Sequence, residues 1–252
     1  MPYKQVFARV YADDVLGSRS LDDALTFLPD GRLSVQFASS PELVDIGIHE
    51  PAVSSLVLTG DDPALSADTP DKRYHVEIES FNHQGVTEFW LIHTDQANGK
   101  FKRAKLNSEY RPGSSTGPRV AVSPGGAFFL TDDSGTVRLY TSKHLMEAGV
   151  FQVAHPKSEN KIVALAVSSD DRLIAGLSSW KDIVLYNVPD RRVAFVRQIR
   201  DEVGWYDAMP AHILVAGNAE AIVTVGASKG PNGQNRRLSV NAFRFISLNV
   251  PA

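Results

Sequence analysis

The sequence contains no cysteine among its 252 residues, which excludes a disulfide scaffold, a thiolate metal site and a cysteine nucleophile, and fits a reducing compartment. It also lacks any stretch of about 18 apolar residues that would cross a bilayer as a helix. The opening "MPYKQVFARVYADD" has no apolar run long enough for the core of a signal peptide. We therefore expect a soluble, cytoplasmic chain with no membrane partner. An excess of one charge is missing too, with 26 Lys and Arg against 29 Asp and Glu, a net charge of −3. Such a balance gives no general attraction to polyphosphate, so nucleic acid is not an expected partner.

Catalytic motifs are equally scarce. There is no HExxH, no P-loop and no Rossmann glycine pattern. "GSSTG" (113–117) satisfies G-x-S-x-G by letter, but the nucleophile elbow needs a strand before the serine and a helix after it. Arg111-Pro112 precedes the motif and Pro118 follows it, so Ser115 reads as part of a loop. No catalytic residue, cofactor or metal is expected.

What the chain does have is a core and a repeat. With 43% hydrophobic and 22% charged residues, it can bury one full core, and we read residues 1–252 as a single domain. Residues 119–154 and 162–199 repeat one another: Ala121-Val122-Ser123 matches Ala166-Val167-Ser168, and Leu139-Tyr140 matches Leu185-Tyr186 with one residue more between. Each unit reads as four short strands rich in Val, Ile, Leu, Phe and Tyr, separated by Gly, Asp and Ser. Fainter copies lie at 24–50, with Pro29-Asp30-Gly31-Arg32 at the hairpin, and at 212–228, with Gly217-Asn218 there.

The region between 53 and 107 can be divided in two ways. Either "RYHVEIESFN" (73–82) opens the second unit, or "VSSLVLTG" (53–60) opens it and 61–72 is an inserted loop; we favour the second. Both divisions give five units. A unit of this kind cannot cover its own two faces, so neighbours must stack. "YKQVFARVY" (3–11) is a lone strand, and the last unit supplies only three. Pairing the first strand into the last unit would hide an exposed edge.

Ser123-Pro124-Gly125-Gly126 and Gly135-Thr136-Val137-Arg138-Leu139-Tyr140 resemble the Ser-Pro-Asp-Gly and Gly-Thr-Val-Arg-Leu-Trp of WD-repeat β-propeller blades. The likeness covers roughly 80 residues, 119–199. Tyr140 stands at the Trp position, Thr141 at the Asp position, and Ala154-His155 at the Gly-His position. It implies an all-β propeller of four-stranded blades, here five, closed by the N-terminal strand. A six-bladed ring, or an open ring completed by another chain, is the alternative.

Such a fold implies a non-catalytic protein-binding module or scaffold. Loops joining blades, and those joining second to third strands, open on one face, where Arg111, His155, Trp180, Trp205, Tyr206, Arg236 and Arg237 are the candidate binding residues. Trp, Tyr and Arg dominate interface energetics. An equal reading packs Trp180 and Trp205 between blades. A second function is a small-molecule or glycan-binding propeller, hydrolytic if carboxylates face its central channel. His75, Glu77 and Glu79 share one strand face, which reads as a solvated face before a metal site. The acidic pairs Asp61-Asp62, Asp132-Asp133 and Asp170-Asp171 read as turn residues.

Overall fold

The computed structural model describes residues 3–11, 25–27, 32–36, 41–44, 54–59, 65–83, 86–106, 118–133, 135–154, 160–168, 170–198, 208–216, 221–229 and 236–245. Among them there is no helix. Twenty strands form five antiparallel sheets. Sheet I joins β2 (Leu25–Phe27), β3 (Leu33–Gln36) and β4 (Pro41–Val44). Sheet II runs through β6 (Ser66–Asp68), β7 (Tyr74–His83), β8 (Val86–Asp95) and β9 (Lys100–Lys105). Sheet III follows with β10 (Arg119–Val122), β11 (Phe128–Asp133), β12 (Thr136–Thr141) and β13 (Glu147–Gln152).

Sheet IV holds β14 (Ile162–Ser168), β15 (Leu173–Ser178), β16 (Asp182–Asn187) and β17 (Arg192–Gln198), with β5 (Ser54–Thr59) added against β14. Sheet V consists of β18 (Ala208–Ala216), β19 (Ala221–Lys229) and β20 (Arg236–Phe245). The N-terminal strand β1 (Tyr3–Tyr11) completes it, antiparallel to β20 with Ala8 opposite Asn241. The lone first strand therefore pairs where an unpaired edge had been expected.

The stacking follows from side chains that alternate between faces of a strand. In sheet III, Leu130 pairs with Leu139 and Phe129 with Tyr140. The Leu130, Val137 and Leu139 side chains pack on Leu165, Val167, Ile174, Val184 and Tyr186 of sheet IV. On the other face Val120, Phe129 and Tyr140 pack on Val76, Ile78 and Leu91 of sheet II. Sheet IV repeats the scheme, sending Ala164, Ala166, Ala175, Leu177, Ile183 and Leu185 against Ile213 and Val215 of sheet V. Being covered on both sides, the middle stretches of these strands are apolar at successive positions, which is why "IVALAV" shows no polar alternation. Sheets II, III, IV and V thus stack in chain order. The loop joining β15 to β16 is one residue longer than its counterpart between β11 and β12, as the repeat offset required.

The division of residues 53–107 needs correction. β5 does not open sheet II but pairs with β14 from Ser54 opposite Ser168 to Thr59 opposite Ala164, and also adjoins β10 and β18. The opening strand of sheet II is β6, inside the stretch expected to be an inserted loop. Turn chemistry explains it. Thr69-Pro70-Asp71-Lys72 makes the first hairpin turn locally, and β5 is left to cover the open edge of β14.

Three hairpins share this turn. The backbone N–H of Lys72, Gly126 and Asp171 donates to the carbonyl of Thr69, Ser123 and Ser168 at 2.7, 2.8 and 2.9 Å. The same three hydroxyls accept the N–H of Tyr74, Phe128 and Leu173 at 3.0, 3.1 and 3.0 Å. Lys72, Gly126 and Asp171 have φ of 55°, 75° and 57°, the left-handed region in which Gly and Asp are most tolerated.

In two of the turns an aspartate two residues after the hydroxyl finishes the motif. Asp71 accepts from the Thr69 hydroxyl at 2.6 Å and the Arg73 N–H at 3.0 Å. Asp170 accepts from the Ser168 hydroxyl at 2.7 Å and the Arg172 N–H at 3.1 Å. The third turn has Gly125 at that place, and a carboxylate arrives from the next sheet instead. Asp171 accepts from the Ser123 hydroxyl at 2.8 Å and from the N–H groups of Ala127 and Gly125 at 3.0 Å each. A Cβ at Gly125 would sit 2.6 Å from that carboxylate.

Candidate functional site

In a meander of antiparallel strands, turns between first and second strands and between third and fourth lie at one end of the sheet. Turns between second and third strands, and connections to the next sheet, lie at the other. Each end of the stack carries one candidate site.

At the second end, Trp180 lies in the turn between β15 and β16, 44% exposed on the surface. Its backbone is held tightly. Asn160, buried at the entry to sheet IV, accepts the Trp180 N–H at 3.0 Å and the Ser179 hydroxyl at 3.1 Å through Oδ1. Its Nδ2 donates to Asp182 at 3.3 Å, and the Ser178 hydroxyl donates to the same carboxylate oxygen at 3.0 Å. Lys181, with φ of 69°, completes the tight turn. A large aromatic side chain thus stands on a backbone fixed from below, and it does not pack wholly between sheets.

Of the other candidate residues, Arg111, His155, Trp205 and Tyr206 lie outside the described residues. Arg236 and Arg237 had been read as part of the loop 229–237. They form the start of β20 instead, opposite Lys229 and Ser228, because the hairpin continues two residues further than its apolar pattern suggests.

At the first end, a cavity of about 510 Å³ lies against sheet II, with the β12–β13 turn of sheet III at its side. Its lining includes Tyr74, His93, Asp95, Lys100, Phe101, Lys102 and Lys143. Register explains the grouping. His93 pairs with Val76 on one side and Lys102 on the other, and Asp95 with Tyr74 and Lys100, so all share the face turned to sheet III. Toward the core this face is apolar, through Ile78 and Leu91; toward the outer end it becomes polar. Lys143 enters from the turn between β12 and β13.

His93 is 2% exposed, and neither ring nitrogen has a hydrogen-bond partner. It stacks on Tyr74 with ring centroids 5.1 Å apart and meets the edge of Phe129 at 5.7 Å. Burial, the largest influence, pushes its pKa down; the Ser142 backbone opposes this, Lys102 lowers the pKa further, and Asp95 raises it slightly. The neutral form of the imidazole is therefore favoured. Neither His93 nor the basic strand β9 was singled out from sequence. The signal was present in "WLIHT" against "KFKRAK", where His and two Lys fall on one face.

The remaining charged groups are structural. Arg119 and Asp132, 2% and 7% exposed, form a buried ion pair, with Arg119 Nε and Nη2 at 3.1 and 2.5 Å from Asp132 Oδ2. Arg119 Nη2 also donates to the Ile162 carbonyl of sheet IV at 3.0 Å, tying the two sheets. Burial raises the Asp132 pKa, and Arg119 offsets this only in part. In contrast, hydrogen bonds from Thr69 and Ser168 lower the pKa of Asp71 and Asp170. His75 pairs with Asp68 at 2.8 Å, and among the described residues no group of three His, Asp or Glu is arranged to hold a metal.

The class defined by this geometry is an all-β protein of stacked antiparallel sheets. No family model matches the chain, and no curated protein matches it. Among solved structures it is similar to Kluyveromyces lactis Hsv2 with its complete loop 6CD, at 10% identity and a TM-score of 0.37, covering 84% of this chain and 83% of that one. No helix among the described residues is long and apolar enough to cross a membrane.

Proposed function

We propose that the chain is a five-bladed β-propeller of the WD-repeat kind, closed by β1 in the last blade, that acts as a protein-binding module. Five sheets of three to five strands, of which sheets II to V share apolar faces in chain order, support this reading. The observation that carries the binding role is Trp180: an exposed aromatic on a turn that Asn160 holds in place loses little freedom on docking, the property of an interface anchor. A ligand in the central channel is less well supported. β5 adjoins β10, β14 and β18, and in the proposed ring it would occupy the space that the innermost strands line.

The test uses the full chain as bait, with quantitative mass spectrometry of what it captures from native lysate. Trp180→Ala and Trp205→Ala should each reduce the captured set at least about tenfold, the usual scale of an anchor residue. Capture of the same proteins at the same level by both variants would remove the reading. Unchanged circular dichroism and thermal unfolding of the variants distinguish lost contact from lost fold.

A further inference from the structure

The cavity against sheet II lies at the opposite end from Trp180 and calls for a different occupant. Its lining carries three lysines, Lys100, Lys102 and Lys143, against one acid, Asp95. That acid is already engaged, since Oδ1 accepts the Ala97 N–H and Oδ2 accepts from Asn98 Nδ2, at 3.0 Å each. Lys102 donates to the His144 carbonyl at 3.3 Å. The Lys100 and Lys143 side chains have no hydrogen-bond or ion-pair partner among the described residues. On the other face of β9 the pattern is reversed: Lys105 pairs with Glu88, and Arg103 lies 5.0 Å over the Trp90 ring. Lysines on an edge strand also discourage edge-to-edge pairing. That role accounts for Lys100 and Lys102 but not for Lys143, which comes from the neighbouring sheet, nor for a buried imidazole with both nitrogens unsatisfied.

We propose that this cavity binds a small phosphate-bearing molecule, with His93 at its floor hydrogen-bonded to the phosphate and the three lysines neutralising it. The volume is that of a small-molecule site. Lysines bind phosphate as point charges. A neutral imidazole offers one donor and one acceptor. A phosphate monoester, whose second pKa is about 6, supplies acceptor oxygens together with an O–H that satisfies the ring acceptor or transfers its proton to it. A fully ionised carboxylate has no O–H and would leave one ring nitrogen as it is now. Phe101, 67% exposed, borders the cavity from the edge of β9 although its register sets it on the face opposite Lys100 and Lys102.

The experiment follows the His93 ring nitrogens by long-range proton–nitrogen NMR of the labelled protein. Inorganic phosphate is titrated at constant ionic strength and neutral pH, and acetate, a fully ionised carboxylate there, is titrated in a parallel arm. Phosphate should shift the His93 signals saturably toward the protonated pattern, while acetate should not. A Lys100→Gln, Lys143→Gln double variant, both positions being on the surface, should keep its amide spectrum and bind phosphate at least about tenfold more weakly. The proposal is overturned by signals that stay in place up to about 20 mM phosphate, by equal shifts with acetate, or by undiminished affinity in the double variant.

Discussion

Asp171 supplies from sheet IV the carboxylate that Asp71 and Asp170 provide within their own turns, and this exchange can be reversed by mutation. Asp171→Gly removes three hydrogen bonds to a charged acceptor and leaves the Ser123 hydroxyl, 1% exposed, without its acceptor. Such bonds contribute about 1.5–3 kcal/mol each but not additively. Relief of the positive φ at position 171 offsets part of the loss, so we expect a cost of about 3 kcal/mol. Gly125→Asp alone places a Cβ 2.6 Å from the Asp171 carboxylate and sets two carboxylates on the same donors. Its expected cost is about 2–4 kcal/mol.

Combined, the two substitutions restore the arrangement of the other turns, with the carboxylate introduced at position 125 accepting from the Ser123 hydroxyl and the Ala127 N–H. The double variant should lie within about 1.5 kcal/mol of the parent, a coupling of at least about 3 kcal/mol, whereas independent sites agree within about 0.5 kcal/mol. Urea unfolding followed by tryptophan fluorescence and circular dichroism measures all four corners of the cycle. Additive effects, or a Gly125→Asp variant as stable as the parent, would refute the reasoning.

Other expectations follow from buried groups. Arg119→Met leaves the Asp132 carboxylate buried without its cation and should cost about 3–5 kcal/mol, whereas adding Asp132→Leu should recover most of it. Because burial raises the Asp132 pKa, the folded state binds the proton more tightly than the unfolded chain. The Arg119→Met variant should therefore regain stability relative to the parent as pH falls from neutrality, in equilibrium unfolding at several pH values. His93 has the opposite sign: its lowered pKa means the unfolded chain binds more protons. Stability from neutral His93 is present above the unfolded value of about 6.5 and is lost as pH falls through the folded one. His93→Phe should flatten that part of the profile, and an unchanged slope would contradict the assignment.

Sheets III and IV were legible because their repeat carries strand pattern and turn residues together, down to the one residue by which the turn Ser179-Trp180-Lys181 exceeds its counterpart in sheet III. β1 was legible as well, a strand needing a partner beside a unit short of one. Sheet II was misdivided because Thr69-Pro70-Asp71-Lys72, which shares only Pro and Asp with Ser-Pro-Asp-Gly, lies in a polar stretch that reads as a loop. The pairing of β5 with β14 was not legible at all, since periodicity marks strands and their faces but not which distant edge remains open. His93 escaped notice for a related reason: a lone histidine in a strand says nothing until Lys102 is known to stand opposite it.

β1 joining sheet V ties the first strand to the last, and the absence of cysteine makes a direct test of that pairing clean. Ala8→Cys with Asn241→Cys, opposite one another on β1 and β20, should oxidise to an intramolecular disulfide in the native protein. Linking nearly the whole chain, the bond should stabilise it by up to about 5 kcal/mol. Two free thiols after oxidation of the folded protein, or a bond that forms only between molecules, would contradict the pairing of β1 with β20.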